Sequence, residues 1–186
     1  MKNYLSIDQG TTSSRAIIFD SNLTLVSDSQ KEYDLHYPND GWVELNPNDV
    51  LKTVMDTLGD VLNEKQKIEA CGITNQRETT IVWSKKTGKP IYPGIVWQDR
   101  RTNETCNKLK LEGYEEVIKE STGLILDPYF SATKIKWILD NVEGARNKAE
   151  KGELLFGTID SFLIYNLTKE KNHFTDVTNA SRTLLF

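Results

Sequence analysis

The 186-residue sequence predicts an α/β fold. Short segments alternate apolar and polar residues, one long segment carries apolar residues at helical spacing, and strand-like and helix-like segments follow each other along the chain. With 38% hydrophobic residues, a chain of this length can bury a sizeable core. The composition has neither the glycine period of collagen nor the heptads of a coiled coil.

The amino-terminal part predicts three strands. They cover Tyr4 to Asp8, Ala16 to Asp20 and Leu23 to Ser27, and short polar segments join them. Strands joined by short turns pair antiparallel. We therefore expect a three-stranded meander.

The clearest helix of the sequence follows. Asn46 suits the N-cap and Pro47 the first helical position. Apolar residues then recur at helical spacing at Val50, Leu51, Val54, Met55, Leu58, Val61 and Leu62. This segment is predicted to pack one face on the sheet.

Further elements alternate through the rest of the chain. We expect strands at Ile68 to Thr74, Thr79 to Ser84, Ile91 to Gln98 and, as a short buried strand, Leu154 to Phe156. We expect helices at Asn103 to Glu112, Ser131 to Val142 and Asp160 to Leu167. In the second of these helices, the side predicted to face inward carries Ile135, Ile138, Leu139 and Val142.

Charge and composition exclude several partners. The sequence has 23 Lys and Arg against 27 Asp and Glu, so the net charge is −4. Because both signs are interspersed, no basic face is available for nucleic acid. A charged residue comes before any apolar stretch that could be a signal peptide, and no run of 18 apolar residues occurs. We expect a cytoplasmic protein without a membrane span, with Cys71 and Cys106 reduced.

The polar segment Asp8 to Arg15, between the first two strands, is typical of a phosphate-binding turn. Gly10 permits a tight backbone, Arg15 supplies a fixed positive charge, and the residues between them carry hydroxyls. These hydroxyl residues are Thr11, Thr12, Ser13 and Ser14. Asp8 would repel a polyphosphate unless a divalent cation lay between them, which suggests Mg²⁺. The alternative is a polar hairpin turn whose hydroxyls bond to their own backbone.

A second polar segment, Thr74 to Thr80, joins two predicted strands. Adjacent side chains of an extended chain point to different sides, so Arg77 and Glu78 can offer a donor fork and an acceptor to a small polyol. The other interpretation is a solvated turn with a surface ion pair.

Two aromatic residues are candidates for the same pocket. Trp97 ends a predicted strand beside polar groups, and an indole face is typical of the apolar wall of a polyol site. Tyr129 lies in a predicted turn, where its hydroxyl can reach a ligand or its ring can cover the surface. The remaining indoles, Trp42, Trp83 and Trp137, are predicted to be core residues.

Six segments together resemble the glycerol kinase branch of the FGGY family of carbohydrate and polyol kinases. They are Asp8–Arg15, Gly41–Glu44, Gly72–Thr80, Val96–Thr102, Gly123–Ser131 and Thr178–Thr183. The resemblance covers practically the whole chain. It implies an actin-like, ribonuclease-H-like α/β fold, in which a mixed sheet has helices on both faces.

The resemblance also implies a two-domain enzyme. Residues 1–186 would be its amino-terminal, substrate-side domain, with the second domain absent from this chain. The apolar, uncapped segment Thr183 to Phe186 likewise suggests that the native polypeptide continues.

By the same resemblance, the full-length protein would phosphorylate glycerol to sn-glycerol 3-phosphate with ATP and Mg²⁺. Arg77, Glu78 and Tyr129 would hydrogen-bond glycerol, and Trp97 would pack against its carbon skeleton. Thr11, Thr12, Ser13 and Arg15 would contact the nucleotide phosphates, and Asp8 would orient the metal. The hydroxyl-rich turn and the Arg77–Glu78 pair are expected to open onto one hollow.

No catalytic residue is expected within this chain, since the resemblance places the general base, an aspartate, after Phe186. The chain alone is therefore expected to be inactive. Two alternatives stay open: another carbohydrate kinase of the same family, and a non-enzymatic actin-fold module that senses a nucleotide or polyol. The sequence also leaves open whether the full-length protein is a homo-oligomer.

Overall fold

The computed structural model describes residues 2–63 and 66–186. The described residues form strands β1 Lys2–Gln9, β2 Ser13–Asp20, β3 Leu25–Glu32, β4 Leu35–His36, β5 Glu44–Leu45, β6 Lys67–Asn75, β7 Ile81–Ser84, β8 Gly94–Ile95 and β9 Leu154–Gly157. They also form helices α1 Pro47–Val61, α2 Asn103–Leu111, α3 Tyr114–Thr122, α4 Ser131–Asn141, α5 Ala145–Glu150, α6 Ile159–Leu167 and α7 Val177–Ala180. The chain divides into two units, Met1–Leu35 with Asn46–Gln76, and His36–Leu45 with Arg77–Phe186.

A mixed sheet in the order β3-β2-β1-β6 forms the first unit. Strands β1, β2 and β3 pair antiparallel, which confirms the predicted meander. Strand β6 runs parallel to β1, with Gln9 beside Asn75 at their carboxyl ends. A parallel neighbour needs a crossover connection, and α1 supplies it because it lies between β3 and β6 in the chain.

Helix α1 begins where the sequence predicts. The Asn46 side chain accepts a hydrogen bond from Asn48 N at 3.0 Å, and Pro47 is the first helical residue. The helix packs on the sheet around a buried apolar cluster of Leu5, Ala16, Ile18 and Val61. Ser14 and Thr53 add a buried hydroxyl pair at 2.9 Å between β2 and α1. These contacts fix the strands on either side of the turn at Gly10.

The second unit contains two short antiparallel pairs, β7 with β9 and β5 with β8. Trp83 of β7 is fully buried, as predicted, and its ring packs against Phe162 and Tyr165 of α6 at centroid distances of 5.6 and 5.8 Å. A separate cluster joins Val82, Ile95 and Ile138. These clusters fix α6 and α4, and α4 carries Lys134 of the site described below.

The strand predicted at Ile91 to Gln98 is wrong over most of its length. Only Gly94–Ile95 is a strand, and the bridges Thr80↔Ile95 and Trp83↔Pro90 stand isolated. Pro93 within this stretch and Pro90 just before it lack an N–H, which interrupts a continuous ladder.

Three further expectations need correction. The third strand begins at Leu25 because Leu23 adopts a left-handed backbone, with φ of 61°, in the preceding turn. Strand β9 is confirmed, but Phe156 in it is 38% exposed and so is not buried as predicted. On the predicted apolar side of α4, Ile138 is buried and Val142 packs against its cluster, but Ile135 and Leu139 are only partly buried, and the polar residues Ser131, Thr133 and Lys134 are buried instead.

The other predicted helices are confirmed as α2, α4 and α6, within about one residue at each end. The sequence did not predict α3, α5 or α7. Helix α3 carries Tyr114, Val117 and Ile118 at helical spacing, but it buries none of its residues.

Two smaller findings complete the description. Both cysteines are free thiols, Cys71 exposed and Cys106 buried, as expected. In the part of the chain that is described, no helix combines the length and the apolar character needed to cross a membrane.

Candidate functional site

The turn between β1 and β2 carries the residues predicted to bind phosphate. Gly10 N donates to Ser13 O at 2.9 Å, and Tyr33 N donates to Thr12 O at 3.0 Å. Gly10 is not among the glycines with a positive φ. The tight turn expected at Gly10 is thus closed by hydrogen bonds and does not need a left-handed backbone.

A buried side-chain network holds the Gly10 carbonyl oxygen from behind. The Tyr33 hydroxyl and the Gln9 Nε2 atom each donate to it at 2.6 Å, and Gln76 Nε2 donates at 3.1 Å. The two amides also donate to the Tyr33 oxygen, at 2.6 and 3.1 Å. Burial raises the pKa of Tyr33 to about 12, so its hydroxyl stays a donor at neutral pH. The network fixes the backbone on which Thr11 and Thr12 lie.

The hydroxyl and charged side chains of the turn lie outside this network. Thr12 is exposed, and Ser13 Oγ accepts from Gln30 Nε2 at 3.1 Å. Arg15 forms an exposed ion pair with Asp28 of β3, with Nη2 2.5 Å from Oδ2. Exposed ion pairs contribute little stability, so a phosphate can compete with Asp28 for the guanidinium. The arrangement suits an anion held by hydroxyls and one arginine.

Asp8 is the candidate metal ligand predicted from the sequence. It is exposed in β1, opposite Arg15 of β2 and Thr74 of β6. Among residues 2–63 and 66–186, no three or more His, Cys, Asp or Glu side chains are grouped to hold a metal. Mg²⁺ is commonly held by one or two carboxylates together with substrate phosphates and water. Asp8 therefore fits a Mg²⁺ ion that arrives with phosphate.

The second unit brings Glu78, Trp97 and Tyr129 together. Lys134 Nζ donates to the backbone oxygens of Glu78 at 2.9 Å and Tyr129 at 2.8 Å. The rings of Trp97 and Tyr129 meet edge to face, with centroids 5.9 Å apart. Trp97 N also donates to the Thr79 hydroxyl at 3.3 Å, next to Glu78 in the chain. These contacts gather side chains from three distant segments into one cluster.

The Glu78 carboxylate is buried beside cationic and phenolic groups. Arg182 Nε donates to Glu78 Oε1 at 2.8 Å. Burial raises the pKa of Tyr129, the Glu78 carboxylate raises it further, and Arg182 opposes both effects. Tyr129 therefore carries its proton at neutral pH, and its hydroxyl lies within hydrogen-bonding reach of the Glu78 carboxylate.

Arg77 and Glu78 lie in a turn after β6 and not in the extended segment that the sequence predicts. Arg77 is exposed and Glu78 is buried. The Arg77 Nη1 atom is 3.5 Å from the carbonyl oxygen of Thr178, which begins the segment that carries Arg182. The segment Thr178–Arg182 therefore contacts both members of the Arg77–Glu78 pair.

Lys134 and Arg182 were not predicted as site residues. Lys134 is fully buried, and burial lowers its pKa to about 7, although the Asp99 and Glu78 carboxylates act in the opposite direction. The available signal was a lysine four positions before the core residue Ile138. Arg182 lies within one of the six resembling segments, but nothing in its local pattern indicates a role.

Two of the remaining indoles surround a different group. Trp42 and Trp137 lie against the buried guanidinium of Arg101, whose Cζ atom is 3.8 and 4.7 Å from their ring centroids. Arg101 Nη2 binds Asp99 and Glu44, both at 2.8 Å. The Arg101 side chain has no exposure to solvent. Its contacts explain the positions of the Trp42 and Trp137 rings without a ligand.

Comparison with known proteins gives a consistent result. The model of the FGGY family of carbohydrate kinases, N-terminal domain, matches residues 3–186. The sequence is 57% identical to a glycerol kinase of Staphylococcus epidermidis, covering the whole chain and 38% of that relative.

Solved structures give the same picture. The crystal structure of Plasmodium falciparum glycerol kinase with ADP matches with a TM-score of 0.93 and 37% identity, over the whole chain and 38% of that structure. A xylulose kinase of Lactobacillus acidophilus matches with a TM-score of 0.85 and 23% identity, over the whole chain and 36% of its length, which is evidence for the fold alone. The actin-like α/β class predicted from the sequence is confirmed.

Proposed function

Because the chain belongs to the FGGY family of carbohydrate kinases, we propose that the longer protein containing it phosphorylates glycerol with ATP, giving sn-glycerol 3-phosphate. The chain spans 38% of the glycerol kinases it matches, and we propose that it is their amino-terminal, substrate-side domain. One observation carries the proposal: the buried Glu78 carboxylate, the protonated Tyr129 hydroxyl and the Trp97 ring lie in one cluster. This combination offers an acceptor, a donor and an apolar wall to a small polyol.

Each residue of the cluster has a distinct task in this proposal. Glu78 accepts a hydrogen bond from one glycerol hydroxyl, and Tyr129, whose hydroxyl contacts Glu78 when no polyol is bound, donates to another. The exposed Arg77 guanidinium donates a further hydrogen bond to glycerol. Trp97 packs against the carbon skeleton, where an indole face excludes water from the reacting hydroxyl. Together they hold the alcohol in position, which is a large part of catalysis in phosphoryl transfer.

The turn at Gly10 serves the nucleotide. Thr11, Thr12 and Ser13 contact the phosphates, and Arg15 leaves Asp28 to meet their charge. Asp8 holds Mg²⁺, which would neutralise charge on the phosphate oxygens when bound. Support for nucleotide use comes from the related Plasmodium enzyme, which was crystallised with ADP.

The rest of the enzyme would lie outside this chain. We propose that the general base and the adenine pocket belong to the second domain, so residues 1–186 alone do not catalyse. We also propose that the protein acts in the cytoplasm on small molecules, without a nucleic acid partner. An overall charge of −4 with both signs interspersed supports the last point.

The proposal is tested with the full-length protein. Its ATP consumption with Mg²⁺ is measured with glycerol, xylulose or gluconate as the acceptor. We expect activity with glycerol, and a decrease in kcat/KM of about 10- to 100-fold in Arg77→Ala, as expected for a lost charged hydrogen bond. Activity with a sugar but not with glycerol would change the substrate assignment and leave the kinase assignment in place. Binding of ATP or glycerol without any phosphorylation would support a sensing module instead.

A further inference from the structure

Arg182 contacts the cluster of Glu78, Trp97 and Tyr129 in two ways, through a carboxylate and through aromatic rings. Its Nε atom donates to Glu78 Oε1 at 2.8 Å. Its guanidinium carbon lies 4.9 Å from the ring centroid of Phe130 and 5.9 Å from that of Tyr129. Glu78 and Arg182 are 104 positions apart in the chain, so the tertiary fold alone creates this pair.

The pair lies largely out of water. The side chain of Glu78 is 7% exposed and that of Arg182 is 28% exposed. A hydrogen bond between ionised groups is stronger and more directional than one between neutral groups, and partial burial reduces its screening. The neighbouring rings restrict the plane of the guanidinium. Arg182 therefore restricts the rotation of the Glu78 carboxylate.

We propose that Arg182 is a positioning residue of the polyol site: it holds one oxygen of Glu78, so that the other oxygen accepts the hydrogen bond of a substrate hydroxyl. This inference rests on the proposed function. It assigns to Arg182 no contact with the reacting atoms. Its action passes through Glu78, and it sets the affinity and the orientation of the polyol.

A purely structural arginine would behave differently. If Arg182 only stabilised the fold, its loss would lower the melting temperature and the active fraction while leaving the KM for the polyol unchanged. A positioning residue instead changes KM for the polyol and leaves KM for ATP unaffected. Its effect also disappears once Glu78 no longer carries a carboxylate.

The experiment is a double-mutant cycle in the full-length protein with Arg182→Gln, Glu78→Gln and the pair of substitutions. We expect Arg182→Gln to raise the KM for glycerol about tenfold or more, as expected for a lost hydrogen bond between charged groups. In the Glu78→Gln background, the same change should alter KM less than about threefold. Arg182→Lys keeps the charge but not the fork, and should recover part of the affinity.

The matched control is Arg146→Gln. Arg146 is also an arginine of the second unit that pairs with a carboxylate, but its partner is the exposed Asp140. This change should leave both KM values as they are. An unchanged KM for glycerol in Arg182→Gln would refute the inference. So would a KM of the double variant that equals the product of the two single fold-changes, because the two residues would then act independently. If Arg182→Gln fails to fold, Arg182→Lys is carried through the same cycle.

Failure of the proposed function would be visible separately, in the wild-type protein. A wild type that phosphorylates a sugar but not glycerol would contradict the substrate assignment, and the cycle is then measured with that sugar. A wild type that phosphorylates neither a polyol nor a sugar refutes both proposals.

Discussion

Lys134 places its Nζ atom 2.9 Å from the backbone oxygen of Glu78, so a lysine in the buried face of α4 supports a loop 56 positions earlier in the chain. The same atom lies 2.8 Å from the backbone oxygen of Tyr129. A neutral amine has two N–H groups, which matches these two acceptors. The fold thus uses a lysine where an apolar residue would leave two carbonyl groups without this donor.

Replacing Lys134 by Met should destabilise the protein. Two buried carbonyl groups would lose their donor, and we expect the free energy of unfolding at pH 8 to fall by about 2 kcal/mol. Denaturant titration measures this change. Lys136→Met is the control, since Lys136 on the same helix is exposed and pairs only with Asp140. An equal effect of the two substitutions would contradict the role assigned to Lys134.

The stability contributed by Lys134 should also depend on pH. Burial lowers its folded-state pKa from the ordinary 10.5 to about 7. Between these values the unfolded chain binds a proton at this side chain that the folded chain does not bind, so stability rises with pH there. The advantage of wild type over Lys134→Met should therefore shrink as the pH falls from about 10 to about 7, and stay constant below. A constant difference over this range would show that burial does not shift this amine.

Two glycines should respond oppositely to alanine. A Cβ atom at Gly157 would lie 2.5 Å from Ser161 Cβ, whereas nothing lies within 4 Å of one at Gly59. Gly157→Ala must move α6, and we expect a loss of about 1 to 3 kcal/mol from overpacking. Gly59 is exposed in the last turn of α1, and Gly59→Ala should add up to about 1 kcal/mol through helix propensity. Thermal unfolding of both variants measures the difference, and the same sign for both would contradict the packing at Gly157.

Local signals account for the elements that the sequence predicts. Asn46 and Pro47 mark the start of α1, and the alternation of apolar and polar residues marks β1 and β2. Each of these signals lies within one short segment of the chain. The prediction of a continuous strand from Ile91 fails because its pairing depends on partners elsewhere in the chain and is interrupted by Pro93. A pattern confined to one segment cannot report such an interruption.

The supporting residues of the site escape prediction for the same reason. Lys134 and Arg182 reach Glu78 from 56 and 104 positions away. Tyr33 reaches Gly10 from 23 positions away. A residue that contacts a ligand can be recognised by its chemistry, whereas a residue that holds another residue is identified only by where the fold places it.

Removing the Tyr33 hydroxyl should loosen the turn at Gly10. In Tyr33→Phe the Gly10 carbonyl keeps two amide donors but loses the hydroxyl, and we expect about 1 kcal/mol less stability. In the full-length protein the KM for ATP should rise while the KM for the polyol stays unchanged. Because burial raises the pKa of Tyr33 to about 12, the effect should be the same throughout pH 6 to 9.

The control for Tyr33 is Tyr4→Phe. Tyr4 lies on β1 of the same sheet and is 38% exposed. Loss of its hydroxyl should change neither stability nor the KM for ATP. If Tyr33→Phe behaves in the same way, the network does not position the phosphate turn.

Asp28 should compete with the nucleotide for Arg15. The carboxylate lies 2.5 Å from Nη2 of Arg15 in an exposed pair, so binding a phosphate to this guanidinium requires the pair to break. Asp28→Asn should therefore strengthen ATP binding by about two- to fivefold at low salt, since exposed pairs contribute up to about 1 kcal/mol. Arg15→Gln should weaken it about tenfold or more. Titration calorimetry of the full-length protein measures both, with Asp60→Asn as the control because Asp60 pairs with Lys31 instead. Screening should reduce the gain in Asp28→Asn at high salt, and a gain equal to that of Asp60→Asn would mean that Arg15 does not meet the phosphates.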